Sequence, residues 1–339
     1  MIITGYKSHI GGVETVNENL INIFRDAGFH VDIFSAEEIL NNTSLSFLDK
    51  VLIKVIGLPY ITAKKFKSVR EKYDLIICNG EFSFGINHEK CINLFHGASY
   101  GYYQHLKEVL TLKQRMSLLR YDFLQRLGSR KKYVVTVSNF IKEILESRGI
   151  TVNRVINNGV NTEKFKPTDR ENEGDLLAVG SFGYNGYAKG FDIIEKINRK
   201  KYDLTCITNR KPYENANWIQ YVPNSKMPEI YNRYKILVFP SRFEACQMVP
   251  LEAMACGLPV VISNVGIGKE IKELFPDFVC DELSEENYIN KINKIKADYH
   301  NYSSAARKLV IDKFNFNDFK SEWLGLVKEF LDNGMENSK

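Results

Sequence analysis

The stretch Pro240–Ile262, PSRFEACQMVPLEAMACGLPVVI, decides how the rest of the chain is read. It follows an apolar run of strand type, Ile236-Leu237-Val238-Phe239, and carries two carboxylates, Glu244 and Glu252. Pro250 suits the first turn of a helix, where its missing N–H leaves no bond unmade, and Gly257 followed by Pro259 marks that helix's end. Leu251, Met254 and Ala255 then share one buried face at spacings of three and four. The unit reads as strand, loop with Glu244, short helix with Glu252 in its first turn, and strand Val260-Val261-Ile262. Ligands of open parallel sheets bind beyond the carboxyl ends of strands, where Glu244 falls. Taken alone, Glu244 is either a ligand contact or a solvated loop acid. Glu252 is either a ligand contact or an acid that complements the positive end of its helix.

The same alternation extends in both directions. Upstream, strands are expected at Ile2–Thr4, His30–Phe34, Asp74–Cys78, Cys91–Phe95, Tyr133–Val137 and Arg154–Asn157. Helices are expected from Val13 to the Gly28 stop, over about Tyr102–Leu127 and over Asn139–Arg148. After Asn158-Gly159, the polar stretch VNTEKFKPTDRENEG reads as a linker. Strands resume at Leu176–Val179, Leu204–Ile207, Trp218–Val222 and Ile236–Phe239, and helices fill the chain from Glu285. Alternating strands and helices call for parallel sheets covered on both faces, here twice over: an α/β chain of two doubly wound units, 1–160 and 173–315, joined by a linker at 161–172.

With 339 residues, 44% of them hydrophobic, the chain has enough apolar material for two cores. No apolar run is long enough to span a membrane, and MIITGYKSHIGG reads as an opening strand rather than a leader peptide. The six cysteines show neither CxxC pairs nor metal spacing with histidine; Cys78, Cys91, Cys206 and Cys280 lie in strand-like runs, as reduced, small hydrophobes of a cytosolic protein would. Residues 1–170 carry 24 Lys and Arg against 17 Asp and Glu, whereas the remainder carries 22 against 24, so an anionic partner is expected on the first half.

Four further places can carry chemistry. Gly11-Gly12, between the first strand and its helix, forms either a tight turn or an anion cradle, and its spacing does not match the GxGxxG of dinucleotide enzymes. In GSFGYNGYAKG, Lys189 precedes a helix, as a surface lysine or as the cation that neutralises a phosphate leaving group. His96 ends a strand beside Gly97, in the core or facing a ligand. The basic segment from Gln104 to Lys132 rests either on anionic lipid or on the core with its charges solvated; no nucleic-acid reader motif accompanies it.

Together these residues resemble glycosyltransferase family 4. Gly11-Gly12-Val13-Glu14, TVSNFIKEILESRGI with VINNGVNTEKFKP, Ala178-Val179-Gly180 with Lys189-Gly190, and above all RFE followed by PLEAMACGLPVV are similar to that family's motifs in the same order. The resemblance implies two Rossmann-like domains facing a central cleft, the B-type fold, with the C-terminal helix of about 316–334 returning to the first domain. It implies a retaining transferase that moves a sugar from a nucleoside-diphosphate sugar to a glycan or lipid-linked acceptor in surface-polysaccharide or glycolipid synthesis. The transferase so implied is expected to need no metal or other cofactor and to work in the cytoplasm, and the basic first half places its anionic or lipid-linked acceptor at the inner membrane face. His96, Glu244 and Lys189 are the implied catalytic residues; Gly11, Gly12, Gly180, Ser181, Lys189, Arg242, Cys246, Gln247, Met248, Val249 and Glu252 are the implied donor contacts, with Glu252 on the ribose diol. The chain departs from the pattern in two ways. Ser181 and Ala188 stand where the family places an arginine, which leaves the diphosphate to Lys189 alone or with Arg242, and Gln247 stands where it has glycine. A transferase-like nucleotide-binding partner without catalysis, and a sugar-nucleotide epimerase, are the alternative readings.

Overall fold

The computed structural model describes residues 1–5, 12–169, 173–200 and 202–332. The first half runs β1 (Ile2–Thr4), α1 (Gly12–Asp26), β2 (Ile33–Ser35), α2 (Ala36–Asn42), α3 (Phe47–Val55), α4 (Pro59–Phe66), β3 (Ile76–Asn79), β4 (Cys91–Phe95), α5 (Ser99–Leu106), α6 (Leu112–Gly128), β5 (Tyr133–Thr136), α7 (Asn139–Ser147) and β6 (Arg154–Val155). The second runs β7 (Gly174–Val179), α8 (Phe191–Arg199), β8 (Leu204–Ile207), β9 (Asn217–Ile219), α9 (Met227–Tyr231), β10 (Tyr234–Phe239), α10 (Met248–Ala255), β11 (Val260–Ser263), α11 (Gly268–Leu274) and β12 (Val279–Cys280), and closes with α12 (Glu285–Ala297), α13 (Tyr299–Lys313) and α14 (Phe316–Asp332).

Two six-stranded sheets result, ordered β2-β1-β3-β4-β5-β6 and β12-β11-β10-β7-β8-β9, with every named pair parallel. Strands such as Leu176–Ala178 and Ile236–Val238 are buried throughout, because helices cover both faces of a parallel sheet. The expected pair of doubly wound units is therefore what the chain forms.

Several boundaries differ from expectation. The second strand begins at Ile33, not His30, and the strand expected at Trp218–Val222 is Asn217–Ile219. The helix expected over Tyr102–Leu127 is two helices, α5 and α6, because Thr111 caps α6: its side chain accepts from Gln114 N and the Gln114 side chain accepts from Thr111 N, a reciprocal box that starts a new helix. Helices α2, α3 and α4 fill a stretch between the second and third strands where no element was expected.

The chain after Val160 is packed rather than loose: Phe165 is buried against Tyr231, and Arg307 donates to the carbonyls of Thr162 and Phe165. Residues 170–172 of the expected linker lie outside the described residues. Where the chain passes between the halves, Val160 N donates to Phe314 O and Phe316 N to Val160 O. Gly159 permits that approach, since a Cβ there would lie 2.7 Å from Asn315 O. Helix α14 then lays Phe319, Trp323, Leu326 and Val327 into the core of the first half, with the Trp323 and Phe24 rings 6.4 Å apart at 72°.

Candidate active site

In the second sheet the chain leaves β7 toward β8 and β9 on one side, then resumes at β10 and continues to β11 and β12 on the other. The neighbours β7 and β10 thus mark the switch point of the topology, and the loops after them share a crevice. Gly190 joins these loops. Its φ is +69°, and a Cβ on it would lie 2.0 Å from Pro240 O, so only glycine fits. Arg242 N donates to Ala188 O at 2.9 Å, which ties the loops a second time. Their consequence is the contact of Lys189 with Glu244, an ammonium against a carboxylate, beneath which the Phe239 ring lies 5.4 Å from the ammonium. The sequence places these residues 55 apart; the fold makes them partners.

Arg242 has another occupation. Its guanidinium binds both carboxylate oxygens of Asp192 and the Tyr187 carbonyl, each at 2.7 Å, and lies 3.8 Å over the Tyr187 ring. It braces the turn that carries Lys189, and does not stand as a free replacement for the arginine expected at Ser181 or Ala188. Ser181 itself is exposed, and the amide of Gly180 is spent on Ile207 O.

Helix α10 starts at Met248, two residues before Pro250, so Glu252 lies in its second turn and not its first. The helix dipole accordingly gives no account of Glu252. The early start follows from Gln247, extended at the cap (φ −73°, ψ 107°) with its side chain turned inward, 2% exposed, where it donates to Val265 O at 2.7 Å and accepts from Ile267 N at 2.8 Å. That side chain braces the loop after β11 and is not available to a sugar hydroxyl, contrary to expectation. It also leaves α10 without a side-chain cap, so the first N–H groups of the helix keep their unmet bonds beside the Glu244 loop. Met248 and Val249 are half-buried there; Cys246, in apolar surroundings, has its thiol pushed up to about 12 and is no nucleophile. Glu252 is buried, accepts from the Tyr231 hydroxyl at 3.1 Å, and has its carboxyl raised to about 7 by burial.

The first sheet has its own switch point, between β1 and β3. A cavity of about 320 Å³ opens there, lined among others by Thr4, Glu14, Asn79, Glu81, His96 and Gln125. His96, at the carboxyl end of β4, has its Nε2 buried without a partner, and burial lowers its pKa to about 4, which keeps the ring neutral at physiological pH. Gly12 opens α1; Gly11, expected beside it in an anion cradle, lies outside the described residues.

The two crevices are joined by Phe243, the residue before Glu244. Its ring packs on Tyr102 (4.4 Å), His105 (5.6 Å) and Phe140 (5.9 Å) of the first half, and Tyr102 is itself a wall of the cavity. Nearby, Glu270 accepts from Asn139 N at 2.6 Å and the Tyr187 hydroxyl donates to Glu108 at 3.0 Å. Reading the sequence missed Phe243, Glu81 and Gln125. Glu81 had a signal: it stands at the carboxyl end of an expected strand, as Glu244 does. Among the described residues no cluster of three His, Cys, Asp or Glu is placed to hold a metal, and no helix is long and apolar enough to cross a membrane.

Two family profiles match the chain in succession, Glycosyltransferase Family 4 over residues 10–164 and Glycosyl transferases group 1 over residues 163–309. An uncharacterized glycosyltransferase of Methanocaldococcus jannaschii is 28% identical over 85% of this chain and 84% of its own length. An O-antigen chain mannosyltransferase of Salmonella typhimurium is 24% identical over 61% of this chain and 64% of its own. The Anabaena protein HepE, solved in complex with UDP-glucose, superposes with a TM-score of 0.68 at 16% identity, covering 97% of this chain and 99% of that one.

Proposed function

The chain belongs to glycosyltransferase family 4, and from that premise we propose that it moves a sugar, with retention of configuration, from a nucleoside-diphosphate sugar held in the second crevice to a glycan or lipid-linked acceptor in surface-polysaccharide assembly. The observation that carries this reading is the Lys189–Glu244 pair at the β7/β10 switch point, with the uncapped start of α10 beside it. A diphosphate entering here draws Lys189 from Glu244 and meets the helix N–H groups, so fixed positive charge faces the oxygen on which charge grows as the glycosidic bond breaks. Glu244, released, accepts hydrogen bonds from hydroxyls of the sugar, and Glu252 accepts from the ribose diol. His96, neutral, lines the far side of the sugar. The charge on the diphosphate is met by these groups, and the proposal invokes no metal. The UDP-glucose held by HepE and the O-antigen substrate in the name of the Salmonella relative support the donor and acceptor classes.

A panel of UDP-, GDP- and ADP-sugars tests this. At least one donor is turned over; Lys189→Ala lowers the rate about 100-fold or more, the scale of a lost charge-stabilising donor, and Glu252→Ala, which removes the acceptor for the ribose diol, lowers it about tenfold or more. Near wild-type rates in both variants remove the site assignment; nucleotide binding in calorimetry with no turnover of any donor favours a non-catalytic partner.

The acceptor's lipid end belongs, in this reading, at an anionic membrane on the cytoplasmic side. Leu112, Met116, Leu119 and Phe123 form an exposed stripe on α6, and Phe47, Leu48, Val51 and Val55 form another on α3, with Phe47 84% exposed. Arg120 donates to Lys54 O and Val55 O, which sets the two helices side by side. Exposed Lys50, Lys54, Lys113 and Arg126 flank them, a pairing of apolar and basic surface that suits an anionic interface. Lys132 takes no part, its ammonium being bound to Ser83 O and Gly128 O. Flotation with phosphatidylglycerol vesicles is expected to weaken in high salt and in a Phe47→Ser, Leu112→Ser double variant; binding indifferent to both counts against a membrane acceptor.

A further inference from the structure

The cavity at the β1/β3 switch point holds polar groups whose bonding capacity the fold leaves unused. His96 Nε2 and Asn79 Oδ1 are buried without partners, while the Asn79 amide nitrogen is committed to Thr4 Oγ1 at 3.2 Å and Asn17 Oδ1 at 3.1 Å. Glu81 accepts one bond on Oε2, from Gln125 Nε2 at 3.0 Å, and Gln125 is fixed in turn by the Ser99 N–H donating to its Oε1 at 3.1 Å. Gly80, at φ +54°, turns the chain at the end of β3 so that Glu81 meets α6. A carboxylate has about four acceptor positions, and this one spends few of them. A buried acceptor left unpaired costs on the order of 1–3 kcal/mol, so a roomy cavity lined by Glu81, with acceptor positions to spare, suits a ligand that brings donors. Burial also raises the Glu81 carboxyl, so donors that favour its charged form are the more stabilising.

We propose that this cavity receives the acceptor's reactive sugar unit and that Glu81 determines its class: a neutral polyhydroxyl ring whose O–H groups donate to the Glu81 carboxylate. A phosphate or carboxylate in the same place brings acceptors only, and faces the charges of Glu81 and Glu14. The inference rests on the transferase reading and narrows it. Tyr102 forms one wall of the cavity and packs on Phe243, so a ring held here sits one residue's reach from the Glu244 loop. Any anionic part of the acceptor then lies outside, on the basic surface of α6. Sequence charge alone pointed the anionic partner at the whole first half; the cavity within that half is acidic.

The test reads binding without donor, so its outcome is separate from donor turnover. Ligand-observed NMR titrations use the methyl glycosides of glucose, mannose, galactose and N-acetylglucosamine, and the 6-phosphates of the first three. At least one methyl glycoside is expected to bind, with its 6-phosphate about tenfold weaker or more, the scale of a charge-assisted hydrogen bond lost or reversed. Glu81→Gln keeps the shape and the bond from Gln125; it is expected to weaken the glycoside about tenfold and to narrow the discrimination against phosphate, with the unfolding midpoint unchanged. The proposal is overturned if no glycoside binds, if a sugar phosphate binds as well as its neutral counterpart, or if Glu81→Gln shifts only the unfolding midpoint.

Discussion

The two switch-point crevices have the same topological origin and opposite electrostatic finish. In the second half, charge meets charge: Lys189 with Glu244 and Arg242 with Asp192, the latter pair bracing the turn that presents the former. In the first half, polar atoms of two cavity-lining residues, His96 and Asn79, are buried unpaired, and the acids that line the cavity are Glu81, its carboxyl raised by burial, and Glu14. Under the proposed function, the crevice of the second half exchanges an internal partner for a charged ligand, and the cavity of the first half receives neutral hydroxyls. Strand order puts a crevice at a place in the fold; the side chains on its loops settle what enters.

The comparison breaks most visibly with pH. The Glu252 carboxyl, raised from 4.5 to about 7, makes the folded state hold more protons than the unfolded one between those values, so its contribution to stability falls as pH rises through them. The His96 ring, lowered from 6.5 to about 4, makes the folded state hold fewer, so its contribution rises with pH over that window. Each is about 3 kcal/mol at full extent, and in the wild-type chain they oppose one another. Urea denaturation from pH 4 to pH 8 is therefore expected to steepen downward with pH in His96→Gln and upward in Glu252→Gln. Glu81 and Glu270, also raised by burial, add to the downward slope in every variant, so the difference between variants isolates each residue. Equal slopes in the two variants abolish the contrast.

A smaller effect sharpens it. Gln247→Ala strips two hydrogen bonds from the loop after β11, leaving Ile267 N unpaired and Val265 O with the Gly268 N–H alone, and is expected to cost about 1–3 kcal/mol of stability in the same urea titration. Gln247→Gly at the same cost identifies the side chain as a brace. If neither variant loses stability, the expectation that Gln247 reads the sugar regains its standing.

The strand and helix alternation was legible along most of the chain, because a strand buried on both faces is a short apolar run and its covering helix shows a 3.6-residue repeat. It failed where local pattern and environment disagree. Helix α3 turns Phe47, Leu48, Val51 and Val55 outward, so an apolar stripe there does not mark a core face. The apolar positions of α5 and α6 run on across the Thr111–Gln114 capping box, and the continuous pattern hid a break that the box itself spells out. Pro250 invited a helix start at its own position, whereas proline is tolerated anywhere in the first turn, and the chain used that freedom to begin at Met248.

Local spacing in the chain is enough to reveal two doubly wound units and the order of the motifs, and the family resemblance of those motifs picks out Lys189, Glu244, Glu252 and His96. Folding adds that Lys189 meets Glu244, that Glu252 is buried against Tyr231, that Arg242 and Gln247 are spent on bracing, and that Glu81, Gln125 and His96 line one cavity. Those are contacts between loops that strand order brings together from distant parts of the chain, and no local period encodes which side chains will find one another there.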